Sequence, residues 1–253
     1  MPSKSDPFTS SVWTRPPRGR GEQPTLSREQ IVRAAIELLD SEGPAGLSMR
    51  RLGTRLGSGA TSVYWHVANK DELLELAVDE VMGEVYVPEV GDTGWRVGAS
   101  VLAMGMRAML LRHPWVIGLL GMRPNLGPNA MRIGDRTVAL LAAAGFSGMA
   151  LSHAGSLLTS LAIGSATTVA AVTNSTRQSG LSVSEAARQL EPHLERAATE
   201  HANYDKWRRE TDVTGMDPEQ IWDEGFTFGL ERLLDGLELW LGSNAGGPDH
   251  PAD

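Results

Sequence analysis

Residues 47–74 read LSMRRLGTRLGSGATSVYWHVANKDELL, and this stretch decides the fold that the sequence predicts. Ser48 is a preferred helix N-cap, and Leu52 and Leu56 follow at the spacing of one helical face. Gly57 comes next, where a residue with left-handed backbone geometry most easily ends a helix. The pattern therefore predicts a short helix, a tight turn and a second short helix.

The second short helix, about Thr61 to Val67, has an unusual outer face. Val63 and Val67 are four residues apart and face inward. The remaining side chains point outward or lie at the rim: Thr61, Ser62, Tyr64, Trp65 and His66. A neighbouring Tyr and Trp cost solubility unless something covers them. Because helix-turn-helix spacing alone is common in helical domains, it is this exposed cluster that favours DNA binding.

Capped helices flank this pair. Ser27 and Gln30 form a capping box at the start of the preceding helix, which is predicted to end near Gly43. Asn69, with Glu72 three residues later, is predicted to cap the following helix. Three capped helices in so short a stretch, joined by a tight turn, allow one helix to enter a major groove.

The composition is that of an ordinary soluble globular chain, with 41% hydrophobic and 21% charged residues among 253. The chain contains no cysteine. Disulfides, thiolate zinc sites and cysteine nucleophiles are therefore excluded, and a reducing cytoplasm is the expected location. No uninterrupted apolar run is long enough for a membrane span, so none is expected.

The net charge of −8 conceals a basic N-terminal quarter. Residues 1–70 contain ten Lys and Arg against six Asp and Glu, whereas residues 71–253 contain thirteen against twenty-five. Residues 1–25 are too rich in Pro and Gly for a long element and are expected to form a flexible basic arm. The alternative is a tail with incidental charge. The arginines of this arm that are predicted to reach DNA are Arg15, Arg18 and Arg20.

The rest of the chain shows helical periodicity interrupted by polar segments. The expected elements are, in order, a helix over Trp95–Arg112, a short apolar helix over Trp115–Leu120, a helix over Met131–Ala144, a long helix over Leu151–Val172, a mobile polar segment at 174–182, an amphipathic helix over Ser184–His201, an irregular segment at 203–215 and a final helix from Pro218 to Leu241.

Residues 26–85 resemble the DNA-binding domain of the tetracycline-repressor (TetR) family. The resemblance rests on IVRAAIELLDSEG at 31–43, SMRRL at 48–52 and, above all, SVYWHVANKDELL at 62–74. The later chain is similar, more loosely, to the ligand domain of the tetracycline repressor. The shared residues there include Gly121-x-Arg123-Pro124, Ala144-Gly-Phe-Ser147 and Gly225-Phe226-x-x-Gly229-Leu230-Glu231.

The resemblance implies an all-α fold, with an N-terminal helix-turn-helix domain and a larger helical domain for ligand binding and dimerisation. The expected boundaries are 1–25 for the basic arm, 26–72 for the DNA-binding domain, 73–242 for the ligand-binding and dimerisation domain, and 243–253 for a disordered tail.

The same resemblance assigns DNA contacts position by position. Arg50 matches a second-helix arginine that reads a guanine, and Lys70 matches a phosphate-contacting lysine at a helix N-terminus. Ala60 and Thr61 depart from the tetracycline repressor, which leaves the operator sequence open. The full set of expected contacts outside the arm is Arg50, Arg51, Thr61, Ser62, Tyr64, Trp65, His66 and Lys70.

The tetracycline repressor holds a magnesium–drug chelate with histidine and glutamate side chains. The matching positions here are Tyr86, Leu119, Ser160 and Thr168, which lack the ligands a hard cation needs. Neither a metal nor a cofactor is therefore expected. An apolar cavity for a hydrophobic natural product or drug is predicted instead, although core packing is the alternative for each methionine. Its predicted lining is Tyr86, Met104, Met106, Met109, Trp115, Leu119, Met122, Arg123, Ser160 and Thr168.

The function that the resemblance implies is a homodimeric repressor, released from a palindromic DNA operator by a small molecule. The helices Leu151–Val172 and Pro218–Leu241 are expected to form the dimer. Alternatives within the family are an activator and a regulator without a ligand, because the sign of regulation depends on where the operator lies. An enzyme is a remote alternative: His193 and His201 lie about two turns apart on one polar helix, for which a solvated face is the simpler interpretation.

Overall fold

The computed structural model describes residues 11–14, 26–121, 125–211 and 216–244. Within these ranges ten α-helices follow one another, in agreement with the predicted all-α class. They are α1 (Arg28–Gly46), α2 (Met49–Arg55), α3 (Ala60–His66), α4 (Lys70–Met82), α5 (Trp95–Arg112), α6 (Pro128–Ala143), α7 (Gly148–Ser179), α8 (Val183–Thr199), α9 (Ala202–Glu210) and α10 (Pro218–Asn244).

The predicted helix starts of the N-terminal unit are present. Ser27 and Gln30 form the capping box of α1. The Ser48 side chain accepts a hydrogen bond from the Arg51 backbone N–H at the start of α2. Asn69 Oδ1 likewise accepts from the Glu72 N–H, 2.8 Å away, at the start of α4. Local side-chain chemistry thus sets these boundaries.

The helices α2 and α3 pack against each other through direct backbone contact. A Cβ at Gly53 would lie 2.9 Å from Ala60 N and from Gly59 C, so the two short helices meet where only glycine fits. Gly57 between them has φ +64°, as the sequence predicts. On the inner side, Val63 is fully buried. The helix α3 is therefore anchored from its inner side.

The C-terminal part is built around α7. Its most extensive helix contact is with α5, and α6 and α10 also pack on it. The α8–α9 pair forms a hairpin whose first helix contacts the end of α7. Leu158 and Leu230 are among the large side chains that are fully enclosed in this bundle.

Gly43 interrupts α1 rather than ending it. Its φ of 69° and ψ of −177° are not helical, yet a further helical turn follows through Gly46. Pro44 begins that turn, where its missing N–H costs nothing and its fixed φ suits a helix. The expected end at Gly43 was therefore placed about one turn too early.

The expected end of the long helix at Val172 is wrong, because α7 continues to Ser179, through most of the segment 174–182 that was expected to be mobile. Hydroxyl side chains in this part of α7 donate hydrogen bonds to carbonyls of the preceding turn. Thr176 Oγ1 donates to the Thr173 carbonyl, and Ser179 Oγ donates to the Thr176 carbonyl. Such bonds satisfy hydroxyl groups without breaking the helix. Gly180 then ends α7 with φ +72°.

Several other boundaries differ from the sequence-based expectation. The helices expected to begin at Met131 and Leu151 begin about one turn earlier, at Pro128 and Gly148. The segment expected to be irregular from residue 203 contains α9, in which the pair Asp205–Arg209 lies at the helix-stabilising i, i+4 spacing. The short apolar helix expected at Trp115–Leu120 is a single 3-10 turn, Pro114–Val116. Both segments are too short for periodicity to identify them.

Part of the predicted flexible arm is docked on the fold. Residues Ser11 to Thr14 lie against α4 and include a short 3-10 turn. Ser11 Oγ donates to Glu75 Oε2 over 2.7 Å, and the Val12 N–H donates to the same oxygen over 2.9 Å. Ser11 is buried. The carboxylate of Glu75 thus holds this piece of chain beside the N-terminal unit.

The close approach at Gly53 yields a stability prediction. Gly53→Ala should lower the free energy of unfolding by about 1–3 kcal/mol, because backbone atoms rather than a movable side chain meet the new methyl group. Gly134→Ala is the matched control: it lies in α6 with open space around it, so it should be neutral or stabilising by up to about 1 kcal/mol. Thermal unfolding followed by circular dichroism measures both. Equal midpoints for the two variants would contradict the proposed steric constraint.

Candidate nucleic-acid interface

The outer face of α3 is exposed. Trp65 is 75% exposed and Tyr64 is 49% exposed, while Val63 on the opposite side is fully buried. Thr61 is exposed as well, and Ser62 and His66 are partly buried. The structure therefore brings the five predicted α3 residues to one outer surface and its rim. Their DNA contacts stay a prediction.

Two buried polar atoms in this unit have no hydrogen-bond partner among the described residues. They are Ser58 Oγ, in the α2–α3 turn, and His66 Nε2, at the end of α3. Unpaired buried polar groups are rare in native proteins because each loses its bonds to water. His66 is one of the predicted α3 contacts, whereas no sequence pattern distinguished Ser58.

The two arginines of α2 have different surroundings. Arg50 is exposed, and its guanidinium contacts no acceptor in the part of the chain that the structure describes. Arg51 forms a two-pronged pair with Glu42, with Nη2 2.6 Å from Oε1, and also donates to the Gly46 carbonyl over 3.0 Å. The hydrogen bonds that Arg51 donates to the Glu42 carboxylate raise the pKa of Arg51. The Arg50 guanidinium is thus available to contact a base. The Arg51 guanidinium instead stabilises the α1–α2 turn.

Lys70 is also engaged within the protein. Its Nζ donates to the Pro44 carbonyl over 2.6 Å, which ties the start of α4 to the α1–α2 turn. It lies at the N-terminus of α4, where the helix dipole favours an anion such as phosphate. The arm residues Arg15, Arg18 and Arg20 lie outside the described residues.

The predicted effector-site residues do not form a single lining. Met106, Met109 and Trp115 are buried in the core, and Leu119 is partly buried. Tyr86, Met104, Ser160 and Thr168 are exposed. Met122 and Arg123 lie outside the described residues. The Trp115 indole N–H donates to Asp40 Oδ1 over 2.7 Å, so this side chain faces α1 of the N-terminal unit.

A separate open concavity of about 610 Å³ lies along the start of α10. It shares no residue with the predicted effector set. It is lined by Asp217, Glu219, Gln220, Asp223, Glu224, Thr227, Phe228 and Glu231. Its acidic lining does not suit the hydrophobic effector that the sequence predicts.

Sequence reasoning missed a buried arginine in the bundle. Arg107 on α5 is 9% exposed, donates from Nε to Ser165 Oγ over 3.0 Å, and places a nitrogen 2.8 Å from Asp223 Oδ1. Its guanidinium also lies over the Phe226 ring. Arg107 therefore joins α5, α7 and α10, a role that no sequence pattern indicates because its partners lie far along the chain.

Sequence reasoning also missed Asp79. This α4 carboxylate is 3% exposed and accepts from the Ala130 N–H at 3.0 Å and from the Asn129 N–H at 3.3 Å. A Cβ at Gly127 would overlap the Asp79 carboxylate, so this approach requires glycine. A buried carboxylate is tolerated at a helix N-terminus because free N–H groups solvate it. Asp79 thus ties α4 to the start of α6.

Other sequence-based alternatives find little support. In the described ranges, no group of three or more potential metal ligands comes together. On the polar helix α8, Glu191 forms an ion pair with Arg208. Length and composition alone would let one described helix, α7, cross a bilayer. Core helices of soluble proteins pass the same test, and α7 packs against four other α-helices, α5, α6, α8 and α10.

The fold and its exposed face define a class of protein, the helix-turn-helix DNA-binding regulators with a second helical domain. Two family descriptions match the chain: "Bacterial regulatory proteins, tetR family" over residues 31–77 and "Tetracyclin repressor-like, C-terminal domain" over residues 87–241. The second match alone covers more than half of the sequence. The chain belongs to the TetR family of transcriptional regulators.

Similar proteins support this assignment. The transcriptional repressor DrrR1 of Streptomyces coeruleorubidus is 34% identical over 228 residues, which are 90% of this chain and 83% of that protein. A transcriptional regulator of Saccharopolyspora erythraea is 42% identical over 163 residues, 64% of this chain and 69% of its own. The structure of ActR from Streptomyces coelicolor with actinorhodin is 33% identical, with a TM-score of 0.69, over 88% of this chain and all of ActR. Because these relatives are regulators, the enzyme alternative is set aside.

The contrast between the two α2 arginines yields a prediction. Arg50→Ala should weaken binding to a cognate duplex by about 1–3 kcal/mol and relax the preference at one base pair, without changing the unfolding midpoint. Arg51→Ala is the control: removal of the Glu42 pair should lower the unfolding midpoint and leave base preference unchanged. Fluorescence anisotropy with single-base duplex variants, together with thermal unfolding, measures both effects. Unchanged affinity and specificity in Arg50→Ala would rule out a base-reading role.

Proposed function

We propose that this protein is an effector-responsive repressor that binds a palindromic operator as a homodimer. The observation that carries the proposal is the face of α3, where an exposed Trp and Tyr lie on a helix anchored from its inner side by buried Val63 and by the close approach of α2 at Gly53. Each protomer places α3 in a major groove, with about 34–36 Å between the two copies. Arg50 reads a base beside it.

The remaining residues of this surface position the protein on the duplex. Tyr64, Trp65 and His66 contact the backbone and a thymine methyl group, and Thr61 and Ser62 lie at the same groove. Lys70 and the α4 N-terminus bind a phosphate. For this contact the lysine has to exchange the Pro44 carbonyl for the phosphate or share its three donors between them.

The dimer forms through α7 and α10. Phe228 and Leu239 on α10 are 64% and 73% exposed, and Met149 and Leu157 on α7 are also exposed large hydrophobic residues. Such side chains on two adjacent helices call for a covering surface. A second copy supplies the same pair of helices, and an interface above about 2,000 Å² would be expected for an obligate dimer.

The effector acts through α4, which belongs to both parts of the protein. At its start, α4 contacts the α1–α2 turn through Lys70, and near its end it is bound to α6 through Asp79. A ligand that shifts α5 or α6 therefore moves the N-terminal unit. Linkage requires that the ligand bind the DNA-competent and released arrangements unequally.

The effector itself is a small hydrophobic natural product or drug. The absence of imidazole and carboxylate groups at Tyr86, Leu119, Ser160 and Thr168 argues against a magnesium–tetracycline chelate. ActR, whose structure was determined with actinorhodin, supplies one candidate ligand for testing. We place the protein in the cytoplasm, where its operator would be. An activator of the same family would share every contact described here.

The central experiment is selection of bound sequences from a random duplex pool, followed by a release screen. A palindrome with half-sites one helical turn apart is the expected product. Actinorhodin and a panel of hydrophobic natural products are then tested for release, with magnesium–tetracycline as the negative control. Failure to enrich any sequence would overturn the proposal. Enrichment without release by any compound would leave a DNA-binding regulator and remove the effector.

A separate prediction concerns the arm. Because its arginines are proposed to contact phosphates, deletion of residues 1–24 should weaken operator binding and make it less sensitive to salt. Each lost phosphate contact should reduce the log–log salt slope by about 0.9. The comparison is a full-length variant in which Arg15, Arg18 and Arg20 are replaced by Gln, which keeps the docked Ser11–Thr14 segment. A salt slope equal to that of the intact chain would exclude phosphate contacts by the arm.

A further inference from the structure

A buried histidine joins the two parts of the protein. His113 ends α5, immediately before Pro114, and is only 4% exposed. Its Nδ1 lies 2.7 Å from Asp40 Oδ1 on α1, and its Nε2 lies 3.1 Å from Glu84 Oε1, just beyond α4. One imidazole ring therefore connects α1 of the N-terminal unit, the segment that follows α4, and α5 of the C-terminal bundle.

Both carboxylates beside the His113 ring have a further hydrogen-bond or ion-pair partner. The Trp115 indole N–H donates to the same Asp40 oxygen over 2.7 Å. Arg112 on α5 pairs with the second oxygen of Glu84. The charged groups around the ring are thus two carboxylates and one guanidinium. With the ring protonated, the local charges balance; with the ring neutral, one negative charge is left over.

The two contacts of the ring have a strict chemical requirement. A carboxylate only accepts hydrogen bonds, so both ring nitrogens must carry a proton for both contacts to form. A neutral imidazole has one N–H and one lone pair. In either neutral tautomer, a lone pair then faces a carboxylate at hydrogen-bond distance, which is repulsive. Deprotonation therefore releases either the Asp40 contact or the Glu84 contact.

We propose that His113 is a positioning residue whose imidazolium holds the DNA-binding unit in register with the effector domain, so that operator binding depends on pH. The proposal rests on the proposed function and adds a proton as a regulator of it. Asp40 lies on α1, which packs against both α2 and α4. The orientation of α1 consequently sets the direction of α3.

The pH direction follows from the contacts. At low pH the imidazolium donates to both carboxylates, and the two parts are held in one arrangement. As pH rises and the ring loses a proton, one contact opens and the N-terminal unit gains freedom relative to the bundle. A dimer must present two reading helices at a fixed separation, so this freedom has to be lost again on binding. Operator affinity is expected to fall as pH rises.

The first test measures operator affinity against pH. With the full-length protein and the selected duplex at constant ionic strength, affinity should fall about tenfold between pH 6 and pH 8.5, the effect of about one charge-assisted hydrogen bond. His113→Gln should remove this dependence, because glutamine does not titrate. His193→Gln on the exposed face of α8 is the matched control and should behave as the parent chain. Asp40→Asn, which keeps an acceptor oxygen for Trp115, should flatten the profile.

His66 requires its own control, because a protonated histidine at the DNA surface would also favour binding at low pH. His66→Gln should therefore retain the part of the pH dependence that His113 causes. An unaltered pH profile in His113→Gln would overturn the proposal. So would a flat profile in the parent chain with DNA binding intact, an outcome that leaves the proposed function standing.

A second measurement needs no DNA. It therefore tests the role of His113 separately from the proposed operator binding. The chain has no cysteine, so Thr54→Cys on α2 and Ala139→Cys on α6 introduce the only two spin-label sites. Dilution with unlabelled protein isolates the distance within one protomer. Pulsed electron resonance should give a narrow distance distribution at pH 6 and a broader one at pH 8.5, and His113→Gln should abolish the difference. An identical distribution at both pH values in the parent chain would overturn the proposal, even if no duplex is bound.

Discussion

The one-sided anchoring of α3 is the constraint on which the rest of this structure depends. A helix of seven residues is too short to persist alone in water. It exists here because Val63 is fully buried and because α2 approaches it backbone to backbone at Gly53. Since all of its stabilising contacts lie on the inner side, the outer side is available for recognition. Burial on one face thus makes exposure on the other possible.

The second constraint is the junction between the two domains. Three carboxylates make polar contacts at this boundary. Asp79 accepts from the N-terminus of α6, Asp40 accepts from the Trp115 indole, and Glu84 contacts the His113 imidazole. Polar contacts of this kind have preferred geometries, whereas apolar contacts can slide. A boundary held by a few directional bonds can therefore have discrete arrangements. Such arrangements are what an effector or a proton needs in order to control a distant surface.

The C-terminal bundle shows how a central apolar helix can be buried on one side and exposed on another. α7 packs on α5, α6 and α10 through residues such as Ala162 and Leu158, yet it exposes Leu157 and Met149. Small residues along α7 and α10, including Gly164 and Gly225, leave space around them. A lone protomer leaves this surface uncovered. The proposed dimer would cover it without requiring a membrane.

The amino-acid sequence by itself determined the capped helix starts of the N-terminal unit, the α2–α3 turn, the all-α class and the family. These depend on contacts between residues a few positions apart: a side-chain cap, a glycine with positive φ and a valine pair one turn apart. Boundaries without such local signals, as at the end of α7 and at α9, were missed, because periodicity in polar segments is weak. Only the tertiary structure decided that Arg51 is paired while Arg50 is free, that Trp115 faces α1, and that His113 lies between two carboxylates. Those facts depend on residues up to about 75 positions apart in the sequence, whose proximity no local pattern encodes.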